Sequence, residues 1–422
     1  MSRLSISANR KCYRYAGITL STSNSDSLTR EPTQQQSLFA IFKIFFALGW
    51  VSFGGPAAHI GYFRNTFVEK LKWLSDNDYA QIVALSQFLP GPGSSQVGFA
   101  VGYQRAGLGG GIMAFLGFTL PSVILMLALA VLSSQLTESS VFQNIVHGLK
   151  LLAVLVVADA AWGMYKNFCK SVLTVSLCIG TAIALLVFQG IATQIIVLII
   201  AALVGTRYLA TGNNESPAGS LSFSVMPLVS FFALLVALPL LGRFSPSLQL
   251  FSDFYQAGSL VFGGGHVVLP LLQNIVGDQL TQDAFLTGYA AAQAVPGPMF
   301  TFATYIGYEL MPTAPIAGAI IATLGVFVPG FLLLVGVLKN WQQLASIPAV
   351  SGALMGVNAA VVGLLLSALY QPVFVSAVVS SLDLAWVLFG ALLMKQFKLP
   401  IVWMVIYFAC AGLIAPSLAN LI

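Results

Sequence analysis

The sequence predicts an all-α polytopic membrane protein made of two inverted-topology repeats, with broken or re-entrant helices at its FGG and PGP motifs. Three observations predict this fold class: the composition, the length of the apolar runs, and a duplicated series of glycine and proline positions. Of the 422 residues, 58% are hydrophobic and 7% are charged. A soluble globule of this size needs far more polar surface, so the chain is expected to lie in a bilayer.

The apolar runs are long enough to span a membrane as helices. Leu108 to Leu132, Leu149 to Tyr165, Val172 to Phe188 and Ile191 to Tyr208 approach or exceed the ~20 residues that a spanning helix needs. None alternates with period 2, which argues against a membrane barrel. The four cysteines show no CxxC spacing and no neighbouring ligand cluster. We therefore expect no disulfide framework, no metal site and no cofactor.

Polar segments divide the chain. Residues 1–36 are basic and rich in serine, without the hydrophobic core of a signal peptide, so a cytoplasmic tail and an organellar transit peptide are both open interpretations. The stretch TGNNESPAGSLS, residues 211–222, predicts a linker. We expect a tail at 1–36, a first repeat at 37–210, a linker plus an extra transmembrane helix at 211–246, and a second repeat at 247–422.

Glycine and proline positions recur between the two apolar halves. SFGGPAAHIGYF corresponds to VFGGGHVVLPLL, and FLPGPGSS corresponds to AVPGPMFT. Further along, Pro121 to Gly148 and Pro329 to Gly356 both span 27 residues. An internal duplication is a recurrent feature of secondary transporters, whose substrate site lies where the repeats meet.

The distribution of Lys and Arg predicts that the two copies have opposite orientations. The loop FRNTFVEKLKWLSDNDY of the first copy carries three cations, whereas its counterpart LLQNIVGDQLTQDAF carries none. Under the positive-inside rule the copies are mirror-oriented, and the unpaired segment Val225 to Leu241 supplies the odd crossing that inversion requires. Treating the FGG and PGP segments as re-entrant hairpins places nearly all cations on the cytoplasmic side, which favours hairpins over full crossings.

The PGP motif predicts an anion-binding site. Pro90 and Pro92 cannot donate backbone hydrogen bonds, so one half-helix ends and the next begins with free N–H groups and a positive dipole end. The FGG glycines let the backbone approach a ligand, and nearby hydroxyls add donors. The alternative is that Pro and Gly only permit tight helix packing. The residues predicted to bind the anion are Gly54, Gly55, Pro90, Gly91, Pro92, Ser94, Ser95, Gln96, Gly263, Gly264, Pro296, Gly297, Pro298 and Thr301.

A second set of residues is predicted to act at the mouth or in coupling. His59 and His266 each follow an FGG motif, and histidine titrates near physiological pH, so either could carry a coupled proton. A hydrogen-bonded structural role is the alternative for each. Arg64 and Arg105 could attract anions at the cytoplasmic mouth or serve only as topology anchors. Asp159 is an acid within an apolar run, which makes it a functional candidate.

The segment FGGPAAHIGYFRNTFVEKLKWLSDNDYAQIVALSQFLPGPGSSQVGFAVGYQRAGLGGGIMAFLGFTLPS resembles the signature region of the chromate ion transporter family, in its long, two-domain form. The resemblance runs from about Phe39 to the C-terminus. It implies transport of chromate, an oxyanion shaped like sulfate, usually as efflux that gives chromate resistance, across the plasma (bacterial inner) membrane. The family's motif positions fall on Gly54, Gly55, Pro56, His59, Arg64, Trp73, Gln87, Pro90, Gly91, Pro92, Gln96, Arg105, Gly263, Gly264, His266, Pro296, Gly297, Pro298 and Asn358. Asn358 thereby joins the residues expected to act at the mouth or in coupling.

The sequence thus predicts a secondary carrier for chromate or a related sulfate-like oxyanion, with the lipid bilayer and a coupled proton or counter-anion as further partners. An oxyanion channel, or a sulfate transporter that carries chromate adventitiously, stays open. A membrane-embedded enzyme would need a clustered acid, base or metal set such as HExxH, which the sequence lacks, so we expect no enzyme. Nucleic acid is not an expected partner. The oligomeric state is open, and a homodimer is one arrangement.

Overall fold

The computed structural model describes residues 37–136, 139–188, 190–210, 224–262, 265–339, 341 and 347–419. Within these ranges the chain is helical and contains no strand. The predicted tail at 1–36, the linker sequence at 211–222, and the two glycines Gly263 and Gly264 lie outside the described residues.

The described part of the first half forms a succession of α-helices. They are α1 (Leu38–Val51), α2 (Gly55–Arg64), α3 (Asp76–Phe88), α4 (Gly93–Leu136), α5 (Ser140–Phe168), α6 (Val172–Val187) and α7 (Ile191–Tyr208). A π-helical turn, Asn65–Lys70, continues α2. The long helix α4 changes direction at Ala106 and Gly107, whose backbone angles are not helical.

The second half repeats this order after one additional helix. The additional helix is α8 (Val225–Leu241), which occupies the segment predicted as an extra crossing. The helices that follow are α9 (Pro246–Leu260), α10 (Val268–Val276), α11 (Gln282–Ala294), α12 (Phe302–Leu310), α13 (Pro315–Val337), α14 (Pro348–Ala368), α15 (Ser381–Lys395) and α16 (Ile401–Ala419). Together, α12 and α13 correspond to the two halves of α4.

The helices that lead into the PGP motifs begin and end in the same way. Ser75 precedes α3 and Thr281 precedes α11, and each side-chain oxygen accepts a hydrogen bond from a backbone N–H three residues on. Both helices then stop at an extended residue, Leu89 or Val295, each with ψ of 148°. A residue that precedes proline disfavours the helical region, so the proline of each motif ends its helix.

Long apolar helices show how the chain lies in a bilayer. Among the described residues, five helices are long and apolar enough to cross a membrane. They are Gly93–Ser133, Ser140–Phe168, Val225–Phe244, Pro315–Val337 and Pro348–Ala377. Large apolar side chains such as Leu203 and Val236 are more than 60% exposed, which suits contact with lipid. The predicted all-α polytopic membrane fold is confirmed, whereas the re-entrant path of the motif segments stays a prediction.

The two repeats exchange helices with each other. Helix α5 of the first repeat packs on α16 of the second, while α14 of the second packs on α6 and α7 of the first. A Cβ added to Gly148 would lie 1.9 Å from the Phe408 carbonyl oxygen, and one added to Gly356 would lie 2.1 Å from the Ala201 carbonyl oxygen. Only glycine permits such close helix contacts. These equivalent contacts confirm the predicted two-repeat organisation and join the repeats into one body.

Candidate functional site

The tip of each PGP motif lies against the opposite repeat. The N–H of Gly91 donates to the Val261 carbonyl oxygen at 2.7 Å, and the N–H of Gly297 donates to the Ser52 carbonyl oxygen at 2.8 Å. Ser52 and Val261 immediately precede the two Phe-Gly-Gly motifs. Both PGP glycines have positive φ, 121° and 92°, which other residues adopt only with strain. Each break is therefore fixed by the other copy.

The residues that follow the two FGG motifs approach each other at the same place. A Cβ built on Gly265, which follows the second FGG, would lie 3.5 Å from Cγ of Pro56 and 3.4 Å from Sδ of Met299. A Cβ built on Gly55 would lie 3.8 Å from the same sulfur. The start of α2, the segment after the second FGG, and the residue after the second PGP thus converge.

A cavity of about 180 Å³ lies at this meeting point. Water occupies about 30 Å³ per molecule in the liquid, so the cavity has room for a small polyatomic ligand. Glycine backbone and a few polar side chains make its wall, with apolar residues between them. The lining residues are Gly54, Gly55, Val156, Asp159, Ala160, His266, Ala292, Gln293, Val295, Gly297, Met299, Met394 and Ile401.

Two ionisable side chains line the cavity, and each has a defined partner. Nδ1 of His266 lies 3.0 Å from the hydroxyl of Tyr289. The carboxylate of Asp159 forms an ion pair with Nζ of Lys395, which comes from the last turn of α15. The lining thus places an acid and an imidazole beside glycine backbone, and the acid holds a cation that lies outside the lining.

His59 is buried and joins the first FGG segment to the start of α4. Its Nε2 lies 3.1 Å from the Ser52 carbonyl oxygen, so this nitrogen carries the hydrogen and donates it. In the neutral ring, Nδ1 then accepts a hydrogen bond from the hydroxyl of Ser94 at 3.2 Å. His59 and His266 therefore have unlike partners, although each follows one FGG motif.

The hydroxyl and amide groups that follow the PGP motifs are buried beside the broken helices. Nε2 of Gln96 donates to the carbonyl oxygens of Pro90, at 2.9 Å, and Gly330, at 3.1 Å. The hydroxyl of Thr301 donates to the carbonyl oxygen of the second PGP motif's last proline at 2.8 Å. Among the described residues, Oγ of Ser95 and Oε1 of Gln96 have no hydrogen-bond partner. Ser95 therefore keeps a free hydroxyl in the first turn of α4.

The two arginines predicted at the mouth hold the loop that follows α2. Arg64 donates to Asp76 at 2.7 and 2.9 Å and also pairs with Glu69. Arg105 donates to the Trp73 carbonyl oxygen at 2.6 Å, and its guanidinium lies 5.2 Å from the centre of the Trp73 ring. Both cations are thus engaged in contacts that organise this loop.

The structure brings some of the predicted site residues together and keeps others apart. Gly54, Gly55, Gly297, His266 and Asp159 line the cavity. Gly263 and Gly264 lie outside the described residues. The remaining candidates are absent from its described lining; these are His59, Arg64, Pro90, Gly91, Pro92, Ser94, Ser95, Gln96, Arg105, Pro296, Pro298, Thr301 and Asn358.

Sequence reasoning missed two polar residues in or next to this lining, Gln293 and Lys395. Gln293 lines the cavity, and its Nε2 lies 3.7 Å from Sδ of Met299. A signal was present, because Gln293 stands three residues before the second PGP motif, as Gln87 stands before the first. Lys395 stands in no motif, and its charge alone predicts only a cytoplasmic position under the positive-inside rule. No local pattern links Lys395 to Asp159, since the two residues lie in different repeats.

A polytopic helical protein with two interlocked repeats, and a polar cavity where its broken helices meet, has the architecture of a membrane transporter. The sequence profile described as "Chromate transporter" matches this chain twice, at residues 39–206 and at residues 248–413. The chain belongs to the chromate transporter family.

Curated relatives extend over most of the chain. A chromate transport protein of Cupriavidus metallidurans is 28% identical over 94% of this chain and 98% of its own length. A chromate transport protein of Pseudomonas aeruginosa is 30% identical over 85% of each chain. A probable chromate transport protein of Synechococcus elongatus is 28% identical over 78% of this chain and 82% of its own. These bacterial relatives are consistent with the predicted plasma-membrane location. No solved structure matches the chain.

Proposed function

We propose that this protein is a secondary carrier that exports chromate, or a related sulfate-like oxyanion, from the cytoplasm. The observation that carries the proposal is the cavity where the FGG backbone of the first repeat meets the PGP backbone of the second. The relatives named as chromate transport proteins support the class of substrate.

The cavity wall offers the hydrogen-bond donors that an oxyanion needs. Helix α2 begins at Gly55, so the N–H groups of its first turn have no acceptor within the helix and stand at its positive end. Gly54 and Gly297 add backbone without side chains that would block a ligand. The imidazole of His266 and the amide of Gln293 supply further polar groups. This combination of helix start and glycine backbone suits an anion.

Several donors are necessary because a dianion is costly at membrane depth. Charge-assisted hydrogen bonds contribute about 1.5 to 3 kcal/mol each, so a tetrahedral dianion needs several of them to offset the loss of its hydration shell. The wall alone provides few cations. We assign Ser95, with its free hydroxyl near the start of α4, and the two PGP tips to the path that the anion follows between the repeats.

The carrier assignment rests on the way in which the broken helices of the two repeats hold each other. The N–H of Gly91 in the first PGP tip donates to Val261, just before the second FGG motif, and the N–H of Gly297 in the second tip donates to Ser52, just before the first FGG motif. Each broken helix is therefore held by the opposite repeat, which suits a carrier that moves its repeats against each other. A carrier of this kind couples the anion to a proton or to a counter-anion. His266 is the coupling candidate inside the cavity, whereas His59 has a positioning role through Ser52 and Ser94.

Flux measurements in sealed vesicles of known orientation test this proposal. Chromate flux from the cytoplasmic side should saturate, show trans-stimulation, and respond to an imposed pH gradient or to a counter-anion. Conductance without saturation or trans-stimulation would make the protein a channel. The absence of any chromate flux would overturn the proposed function.

Sulfate is the rival native substrate, because it is also a tetrahedral dianion. Backbone N–H groups recognise oxyanion shape and charge, and the described residues of the lining present no side-chain arrangement specific to chromate. Competition between the two anions in the same vesicles gives their relative affinities. Tighter binding of sulfate would make chromate an adventitious substrate of a sulfate carrier.

A further inference from the structure

The acid in the cavity is at odds with an oxyanion substrate. Asp159 is the only acidic residue among the described residues that line the cavity. A carboxylate beside a bound dianion repels it. If the cavity binds an oxyanion, the negative charge of Asp159 must be offset by another group.

Lys395 offsets the negative charge of Asp159. Its Nζ contacts a carboxylate oxygen of Asp159, so an ammonium group lies directly behind a residue of the cavity lining, although Lys395 itself is not part of that lining. The neighbouring residue of α15, Met394, lines the cavity itself. Lys395 is 58% exposed and Asp159 is 36% exposed, so neither side chain is locked in the core. The pair can separate without leaving either charge buried among apolar side chains.

We infer that Lys395 is the cation of the oxyanion site and that Asp159 holds it while the cavity is empty. On entry, the oxyanion replaces the carboxylate as the partner of the ammonium group. On release, the ion pair between Asp159 and Lys395 forms again, and the carboxylate displaces the anion from the ammonium group. This inference rests on the proposed function, and it assigns a substrate contact to a residue that composition and motifs did not indicate.

The exchange explains how the site binds a dianion and still releases it. A permanently free lysine would retain a dianion, because a charge-assisted hydrogen bond in a cavity is strong. A competing carboxylate lowers that net affinity and speeds dissociation. Asp159 is therefore expected to weaken binding, whereas Lys395 is expected to strengthen it, although the two form one ion pair.

Opposite effects of two substitutions test the inference. In sealed vesicles, Lys395→Gln should raise the half-saturating chromate concentration about tenfold, because one charge-assisted bond is lost. Asp159→Asn should lower it about three- to tenfold and reduce the maximal rate, because Lys395 then stays free to hold the anion. Sulfate should show the same two shifts.

Control variants separate this effect from general damage. Lys398→Gln removes a positive charge from the loop after α15, and Lys398 forms no ion pair among the described residues. It should leave the half-saturating concentration unchanged. Lys395→Arg should retain most of the affinity, since the charge stays. The double variant Asp159→Asn with Lys395→Gln leaves no unpaired charge, so it should bind chromate more tightly than Lys395→Gln alone, which keeps the repelling carboxylate, but less tightly than the unmodified protein.

The outcomes distinguish this inference from the proposed function. If the unmodified protein shows no chromate flux, the proposed function fails. If it transports chromate, but both single substitutions weaken binding equally or both leave it unchanged, then Asp159 and Lys395 form only a structural pair. That result would overturn the inference while the carrier assignment stands.

Discussion

The two motif segments, residues 53–92 and 262–298, have the same order of helices but different packing. In the first segment, Gly61 and Gln87 are exposed, and a Cβ added to Gly61 would meet nothing within 4 Å. Their counterparts in the second segment, Pro270 and Gln293, are buried. Equivalent positions thus face open space in one copy and packed helices in the other.

The helices that cover the second segment account for this difference. Helix α11 packs along α5, and Nζ of Lys150 pairs with Oδ1 of Asp283 at 2.7 Å at the start of α11. Helix α3 packs on α4, without comparable packing on α14 in the described part of the chain. The residues equivalent to Lys150 and Asp283 are Asn358 and Asn77. Oδ1 of Asn358 is buried and has no hydrogen-bond partner among the described residues.

The comparison teaches that one sequence pattern is compatible with two packing arrangements of the same segment. An ion pair holds the second segment against the other repeat, while the first segment lacks that restraint. A carrier built from related repeats works by holding and releasing them in turn. We expect the opposite state to cover the first segment and to release the second.

The largest expected effect comes from the glycine at the second PGP tip. Gly297→Ala should reduce chromate flux at least about tenfold, because φ of 92° is unfavourable for alanine by about 1–2 kcal/mol. The added Cβ would also lie 2.0 Å from Oγ of Ser122. Gly91→Ala should be comparably damaging, since φ of 121° is also unfavourable for alanine and its Cβ would lie 2.9 Å from the backbone Cα of Gly330.

A matched glycine provides the control for this prediction. Gly163 lies within α5, and a Cβ added there would meet nothing within 4 Å. Flux in vesicles, normalised to the amount of inserted protein, should be unchanged in Gly163→Ala. If Gly297→Ala retained wild-type flux, transport would not require the positive φ that Gly297 has in this structure.

Cross-linking tests whether the two segments alternate. In a background without native cysteines, Lys150→Cys with Asp283→Cys should cross-link readily and stop flux until the link is reduced. Asn77→Cys with Asn358→Cys should cross-link only in the opposite state, so its yield should rise during transport. If the second pair never cross-links in a protein that transports chromate, the first segment does not close in the predicted way.

Labelling from each side of the membrane sharpens the comparison further. Single cysteines at Asn77 and Gln282 should react from opposite faces, because the charge distribution predicts inverted copies. Labelling of both from one face would contradict inversion.

Cysteines at Asn77 and Gln104 should react from the same face if the PGP segment is re-entrant. Reaction from opposite faces would make that segment a full crossing.

The smallest expected effect is at the loop after α2. Arg64→Gln introduces the residue type found at the equivalent position of the second copy, Gln273. We expect less than about a twofold change in half-saturating chromate concentration, because exposed ion pairs such as those with Glu69 and Asp76 contribute little. A large loss of affinity at low ionic strength would instead assign Arg64 to the capture of anions.

Much of the fold could be predicted from local patterns. Apolar runs predicted the helices, and the recurring Gly and Pro positions predicted the repeats, because both signals are periodic along the chain. The ends of α3 and α11 were predictable as well, since each precedes a proline. The re-entrant path, the inverted orientation and the predicted repeat boundaries stay predictions that labelling must test.

The candidate site was only partly predictable. Gly54, Gly55 and Gly297 stood out because glycine next to proline or in pairs marks close backbone approach. The sequence pattern predicts the same role for both PGP motifs, because the two motifs have the same three residues. In the structure, the second PGP motif contributes Gly297 to the cavity, whereas Gly91 packs against Gly330 outside its lining.

By itself, the sequence determined that the chain crosses a membrane, that it contains two related repeats, and that its helices break at glycine and proline. These features depend on composition, period and backbone chemistry, which are local properties. Tertiary structure alone decided which break lines the cavity and which cation reaches Asp159. Both depend on helix exchange between the repeats, which brings α5 against α11 and Lys395 to Asp159, and such long-range contacts leave no local pattern in the sequence.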